Sequence, residues 1–261
     1  MYHNVGSIDT FSNCPTGIVA KKKTICGGVT ALSSNTQQRM SMEIELTRSQ
    51  AQPLPYRKVK RILDIVCSVW ILVFISPLLL LVYLAIAITD GRPVVFKQQR
   101  TGVNGMPFTI YKFRTMKQAH RQVAAPNQAK TNYDEWTEGV PDDFVFKSGF
   151  NPNVTRLGAF LRKTSIDELL QFYNVLKGDM SIVGPRPEVP QITVKYNALQ
   201  RQRLLVKPGI TGWAQVNGRS DIAHGEKIRH DLHYVDHCSF ALDFKIVLKT
   251  VRMVLLNKGS Y

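Results

Sequence analysis

The pattern of apolar and polar positions divides the chain into three parts. Residues 1 to about 55 are rich in Ser, Thr, Asn, Gln and Gly and hold no apolar run at helical or strand spacing. They read as a polar, disordered arm. Lys21, Lys22 and Lys23 are not followed by the apolar stretch of a secretory signal. From Ile62 to Thr89 the chain is almost continuously apolar. That run is long enough to enter a bilayer, which a helix crosses in about 20 residues. Ser76-Pro77 interrupts it near the middle. Proline removes a backbone donor and crowds the preceding turn, so a kink or break is predicted there. Arg57, Lys58, Lys60 and Arg61 precede the run, and Arg92, Lys97 and Arg100 follow it. Flanking cations favour the cytoplasmic side, and a single straight span cannot keep both ends there. A re-entrant helix-break-helix over residues 56–90, turned at Ser76-Pro77, can do so and is the preferred reading. An ordinary span and the buried helix of a soluble core are the alternatives. The carbonyls freed at such a break need donors, and the Ser68 and Ser76 hydroxyls are the candidates.

Residues 91–261 carry shorter patterns of mixed kind. Val94 to Gln98 and Phe108 to Met116 read as two strands of a β-hairpin around the turn at Gly102 to Pro107. Ala119 to Asp143 is polar and reads as a surface insertion. Asn151-Pro152-Asn153 predicts the start of a helix over Val154 to Arg162, and Val189 to Leu205 reads as another. Between them, Ser165 and Glu168 have capping-box spacing. Ile166, Leu169, Leu170, Tyr173 and Leu176 then recur at helical spacing, and Gly178 closes the helix. Lys207 to Arg219 is a turn-rich loop whose glycines and proline allow close backbone approach to a ligand. Phe240 to Leu256 has Phe240, Phe244, Val247, Val251, Val254 and Leu255 on one side and Lys245, Lys249 and Arg252 on the other. Such a helix suits either a membrane interface or packing against the domain. The fold class implied is α/β, mostly helical with a small β-hairpin or sheet, on a monotopic membrane anchor.

Charge sharpens the picture. The formal net charge is +15, from 34 Lys and Arg against 19 Asp and Glu in 261 residues. That points to an anionic partner: nucleic acid, an anionic membrane surface or a phosphorylated substrate. Nucleic acid is the weakest of these, because the cations are not interleaved with aromatics in any recognisable module. Cys14, Cys26, Cys67 and Cys238 are scattered, without metal or redox spacing. His230, His233 and His237 share a helical face, but nothing completes a zinc site, and a wet helix face accounts for them.

The candidate chemistry centres on Asp167 and Glu168. Acidic residues in a first helical turn are ordinary complements of the helix dipole. Here they follow Arg156, Arg162 and Lys163 and precede Gly184-Pro185-Arg186-Pro187. A carboxylate pair among arginines suits phosphoryl transfer: one carboxylate attacks phosphorus, the other holds magnesium, and the arginines neutralise phosphate oxygens. Lys97, Arg100, Lys112 and Arg114 gather cations on the hairpin, as a phosphate cradle or as a basic membrane-facing surface.

These motifs occur in the order found in the bacterial sugar transferases, the monotopic polyprenyl-phosphate hexose-1-phosphate transferases. The chain resembles that family in the Ser-Pro-interrupted apolar segment and in Tyr111 to Met116. The resemblance continues through Arg162 to Gln171 with Asp167-Glu168, Gly178 to Ser181, Gly184 to Pro187, and Lys207 to Arg219. The resemblance covers about residues 57–256. It implies a cytoplasmic catalytic domain over residues 91–261, at the bacterial inner membrane. The donor would be a UDP-sugar, the acceptor undecaprenyl phosphate and the cofactor Mg²⁺. It also implies Asp167 as nucleophile, Glu168 as Mg²⁺ ligand and Arg162 at the polyprenyl phosphate, with Lys112 and Arg114 nearby. Pro185, Arg186 and Pro187 would lie at the nucleotide-sugar site. Asp243 matches a late family aspartate to which the resemblance gives no role. With only a polar arm ahead of the anchor, the chain resembles the short, catalytic-only members. A non-enzymatic, basic membrane-surface adaptor is the competing expectation, resting on the charge and the two membrane-seeking segments.

Overall fold

The computed structural model describes residues 54–118, 133–145, 151–218 and 222–256. The polar arm, residues 119–132 of the expected insertion, and Arg219 lie outside the described residues.

Helix α1 (Leu54–Thr89) contains the apolar run and continues through Pro77 without interruption. The sequence pattern predicted two halves with a break. One helix forms because the Ser76 hydroxyl donates to the Val73 carbonyl at 2.8 Å, the acceptor that proline at position 77 leaves without its amide partner. Ser68 makes no such bond; it is fully buried and its hydroxyl is unpartnered. A 36-residue helix is about 54 Å long at 1.5 Å per residue. Only 11% of its most apolar window is buried, which rules out the core helix of a soluble protein. Both ends of α1 nevertheless pack against the remainder of the molecule. Tyr56, Asp64 and Ser68 are buried near its start, Val82 and Ile86 near its end. Trp70, Val73, Phe74, Leu80 and Leu81 between them are exposed.

The chain then forms the expected hairpin. Strands β1 (Val95–Thr101) and β2 (Pro107–Phe113) pair antiparallel, from Val95 opposite Phe113 to Thr101 opposite Pro107. Helix α2 (Arg156–Thr164) crosses the end of β2 and is capped by the Thr155 hydroxyl, which accepts from the Gly158 amide at 2.9 Å. Val82, Ile86, Val94, Phe113 and Leu161 form one core cluster and anchor the end of α1. Fully burying aliphatic side chains such as Ile86 and Leu161 contributes about 1.5–3 kcal/mol each.

Ser165 does not cap a helix. It lies in the left-handed region (φ 57°) and closes α2, its amide donating to the Arg162 carbonyl. Ile166–Glu168 is a 3₁₀ turn, and helix α3 (Gln171–Lys177) starts only afterwards. The fully buried side chains of α3 are Gln171, Asn174 and Val175, while Tyr173 is exposed. The apolar periodicity is right for Ile166 and Leu170, which pack against the Val82–Leu161 cluster, and wrong for Tyr173. Gly178 (φ 92°) ends α3 as expected.

Strand β3 (Ser181–Val183) pairs parallel with β4 (Gly209–Thr211). Between them lie two single-turn helices, α4 (Pro190–Thr193) and α5 (Ala198–Arg201), and a 3₁₀ turn, in place of one long helix. A capping box does form here, between Asn197 and Gln200. Helix α6 (Trp213–Asn217) leads to α7 (His224–His237) and α8 (Phe240–Leu255). Residues 133–145 are not a detached surface insertion. Val140 is buried with Ile192, Tyr196 and Ile228, and Tyr133, Trp136 and Phe144 pack against them.

Helix α8 is turned with its apolar stripe outward. Phe240, Phe244, Leu248, Val251 and Leu255 are all exposed, at spacings of three and four. Its inward side carries Ile246, Thr250, which meets Thr211 at 2.6 Å, and Lys249, which lies over the Trp213 ring at 4.6 Å. A helix on a soluble protein presents the opposite orientation.

Close packing fixes α2 against the segment that follows β2. A Cβ on Gly158 would stand 2.1 Å from the Thr115 carbonyl oxygen. Gly158→Ala is therefore expected to destabilise the protein by about 1–3 kcal/mol or more, as overpacking does. Thermal unfolding in a lipid mimetic measures it; an unchanged midpoint would mean that α2 is free to shift.

Candidate active site

Three segments distant in sequence converge on Asp167 and Glu168. The left-handed turn at Ser165 and the following 3₁₀ turn carry the two carboxylates back over β2. There Lys112 Nζ donates to Glu168 Oε1 at 2.6 Å. The Gly184–Pro187 loop follows β3, and Arg186 reaches the same carboxylate: Nη2 to Oε1 at 2.7 Å and Nη1 to Oε2 at 3.3 Å. Asp167 is buried beside this group, 8% exposed. Among the described residues its carboxylate has no hydrogen bond or ion pair.

The two neighbouring acids are thus in opposite electrostatic states. Burial pushes the Asp167 carboxyl up, and the Glu168 charge adds to it; Lys112, Arg162 and Arg186 oppose them, and the result is about 6. Burial acts on Glu168 in the same direction, but the direct contacts with Arg186 and Lys112 outweigh it and hold that carboxyl well below the usual range. Burial pushes the Lys112 ammonium down, against the pull of Glu168. At neutral pH Glu168 is an ionised, fully neutralised anchor. Asp167 is an ionised carboxylate with unoccupied lone pairs, the arrangement a nucleophile requires.

The other expected site residues separate into two groups. Arg162 lies beside Asp167, held through Nε to the Thr115 hydroxyl at 2.9 Å. Pro185 and Pro187 are buried and stiffen the loop that carries Arg186. Arg114 does not join the cluster. It is 7% exposed and donates from Nη2 to the carbonyls of Asp90 and Gly91, both at 2.7 Å, so it ties down the chain leaving α1. The histidines form no metal group among the described residues. His233 and His237 stack at 4.4 Å, and His230 faces Glu226 at 3.8 Å.

Several residues that support the site lack a sequence signal. Arg203 is buried; its Nη2 donates to the Arg186 carbonyl at 2.9 Å and meets Asp231 at 2.6 Å, and its Nη1 meets the Tyr196 hydroxyl at 2.5 Å. Arg100 donates to the Pro187 carbonyl at 3.3 Å, and the Thr101 amide to the Glu188 carbonyl at 2.9 Å. Gly184 and Gly212 let this loop lie against β4: a Cβ on Gly212 would stand 2.1 Å from the Gly184 carbonyl oxygen. Asn174 clamps β2 to α3, accepting from the Tyr111 amide at 3.1 Å and donating to the Thr109 carbonyl at 2.7 Å. That clamp sets the register of Lys112 against Glu168. In the sequence, Arg203 and Asn174 look like ordinary polar positions on helices.

A long, exposed apolar helix joined to a carboxylate held among cations suits a membrane-associated protein with an anionic ligand. The profile of the family described as bacterial sugar transferase matches residues 55–257, and the chain belongs to that family. It is 42% identical over 201 residues to the uncharacterized sugar transferase EpsL of Bacillus subtilis, covering 77% of this chain and 89% of that protein. It is 41% identical over 208 residues to the undecaprenyl-phosphate galactose phosphotransferase of Salmonella typhimurium, covering 78% of this chain and 42% of that protein. To the UDP-glucose:undecaprenyl-phosphate glucose-1-phosphate transferase of Escherichia coli it is 41% identical over 213 residues, with 78% and 42% covered.

The strained state of Asp167 has a measurable consequence. A carboxyl with its folded pKa raised from about 4 to about 6 holds an extra proton in the folded state between those values, so it lowers stability as pH rises through that window. Asp167→Asn removes this cost. The variant is expected to exceed the wild type by about 2–3 kcal/mol at pH 8 and to match it below about pH 4, by denaturant unfolding at both pH values. Equal stability at pH 8 would mean that the carboxylate is solvated.

Proposed function

We propose that this protein transfers a hexose-1-phosphate from a UDP-sugar to undecaprenyl phosphate, releasing UMP, through a phosphosugar intermediate on Asp167. The observation that carries the reading is the contrast between the two acids: Glu168 is neutralised by Lys112 and Arg186, and Asp167 is buried and unpartnered. In the first step an Asp167 oxygen attacks the donor's β-phosphorus. The bond from that phosphorus to the bridging oxygen breaks, and UMP leaves with the electron pair. In the second step an undecaprenyl phosphate oxygen attacks the same phosphorus, and the bond to Asp167 breaks. The carboxylate is regenerated and the sugar leaves on a lipid diphosphate. Such a covalent intermediate lets a soluble donor and a lipid acceptor use one site in turn.

Lys112, Arg162 and Arg186 supply positive charge where the phosphate oxygens gain charge in both steps. Pro185, Arg186 and Pro187 line the donor side. Mg²⁺ fits this donor set. The free Asp167 carboxylate and Glu168 Oε2, which has one 3.3 Å contact, offer hard oxygens of the kind the ion takes alongside substrate phosphates. Glu168 would hold it, and the bound ion would supply Lewis-acid neutralisation of the diphosphate.

The site belongs, in this reading, at the cytoplasmic face of the bacterial inner membrane, where the transfer starts an exopolysaccharide, capsule, O-antigen or glycoconjugate. Three observations support that siting. Residues near both ends of α1 are buried against the rest of the protein, Tyr56, Asp64 and Ser68 at its start and Val82 and Ile86 at its end, as a helix that dips into one leaflet and returns needs. Pro77 at mid-helix allows the bend. The outward apolar stripe of α8 suits a headgroup layer.

The test is intact mass and UMP release in a lipid mimetic with Mg²⁺ and a panel of UDP-sugars. A sugar-phosphate adduct on Asp167 that disappears when undecaprenyl phosphate is added is the expected result. Asp167→Asn is expected to lower turnover at least about a thousandfold while the protein still cofractionates with membranes. UMP release only in the presence of acceptor, without adduct, would replace the covalent route by direct transfer. Chelation of divalent ions is expected to stop UMP release and leave the fold intact by circular dichroism; undiminished release would remove Mg²⁺ from the reaction.

A further inference from the structure

The Asp243 carboxylate is engaged by more donors than any surface role requires. Its Oδ2 accepts from the Tyr56 hydroxyl at 2.8 Å and from Lys60 Nζ at 2.6 Å; its Oδ1 accepts from the Tyr234 hydroxyl at 2.8 Å. Tyr56 and Lys60 lie in the first two turns of α1, Tyr234 lies in α7, and Asp243 lies in the first turn of α8. The Phe240 ring packs on the Tyr56 ring at 4.9 Å between centroids. Three charge-assisted bonds thus converge on one carboxylate.

The cluster leads to the active site along two paths. The Tyr234 hydroxyl, whose single proton goes to Asp243, also lies 3.2 Å from the Val183 carbonyl, and the next residues are Gly184, Pro185 and Arg186. One residue beyond Lys60, Arg61 donates to the carbonyls of Val175 and Leu176 at 2.5 and 2.8 Å, at the end of α3. Asp64 Oδ1 accepts from the Ile182 amide at 3.1 Å, in β3. The base of α1 is thus tied to the end of α3 and to β3, whose following loop carries Arg186 to Glu168. None of the groups that bias Asp167, namely Glu168, Lys112, Arg162 and Arg186, is a member of the cluster. Asp243 therefore has geometry to act on how the site sits relative to α1, and no direct means of acting on the nucleophile.

That separation matters because the two substrates of the proposed reaction differ in freedom. A water-soluble donor reaches the site at any depth. A lipid-borne phosphate is confined to the headgroup layer and meets Asp167 only if the site is held at that height. We propose that Asp243 is a positioning residue for the lipid-acceptor half of the transfer, fixing the depth and tilt of the catalytic unit against α1. The proposal rests on the reading in the preceding subsection.

The test compares wild type with Asp243→Asn in bilayer nanodiscs. UMP release in a single turnover without acceptor reads the donor half, and steady-state transfer to undecaprenyl phosphate reads the acceptor half. The donor half is expected to stay within about twofold, and the apparent KM for undecaprenyl phosphate to rise about tenfold. With a short-chain, water-soluble polyprenyl phosphate in detergent the rise is expected to vanish, because depth no longer limits encounter. Tyr56→Phe and Tyr234→Phe each remove one donor and are expected to give smaller shifts in the same direction, which covers the case of an Asp243→Asn protein that does not fold. Equal losses in both halves, an equal rise in detergent, or an unchanged KM would overturn the proposal and leave Asp243 a purely structural residue. A wild type that forms no adduct and releases no UMP with any donor would overturn the functional reading and the proposal with it.

Discussion

The Glu168 carboxylate, held between Lys112 and Arg186, is the contact on which the site depends. It joins the end of the hairpin, the turn after α2 and the loop after β3 through two ion pairs. Each partner compensates a cost the others create. Burial alone would favour a neutral Glu168; two cations keep it ionised, and its charge in turn opposes the downward push of burial on the Lys112 ammonium. The adjacent Asp167 receives the repulsion of that charge without a direct partner of its own. A carboxylate in that state keeps lone pairs that no described residue occupies.

Maintaining this arrangement requires a rigid surround, and the surround is largely polar. The inward faces of α3 and α8 carry Gln171, Asn174, Asp243 and Thr250, where a soluble domain would bury leucines. Arg203 and Asp231 are paired at 2.6 Å with less than 5% exposure each. Removing one member of such a pair typically costs about 3–5 kcal/mol, so the loop carrying Arg186 is not free to wander. The apolar side chains displaced from these faces appear on the outside, along α1 and α8. In water that distribution would be unfavourable. Against lipid that cost disappears, because hydrocarbon solvates the outward stripe, while Asn174, Asp243 and Thr250 on the inward faces are hydrogen-bonded.

Much of this was legible along the chain. Apolar run length identifies α1, alternation identifies the hairpin, a glycine marks the end of α3, and an acid pair among cations marks the site. Each of these depends on residues within a few positions of one another, where propensity and periodicity act. The misreadings differ in cause. Ser165 and Glu168 have capping-box spacing, yet the chain must reverse between α2 and the 3₁₀ turn, and Ser165 takes the left-handed conformation that the reversal needs. Pro77 carries the signature of a break, yet the hydroxyl beside it supplies the missing donor and the helix continues.

What the sequence determined by itself is the inventory: one lipid-seeking helix, a basic body, a pair of acids and the arginines to neutralise phosphate. What the tertiary structure alone decided is the assignment of roles within it. Lys112 and Arg114 stand two residues apart on adjoining backbone, but one meets Glu168 and the other the carbonyls of Asp90 and Gly91. Asp243 becomes a junction only because Tyr56 and Lys60, more than 180 positions away, arrive beside it. A charged side chain has no role until its partner is in place, and the partner's arrival depends on packing across the whole chain, which no local pattern records.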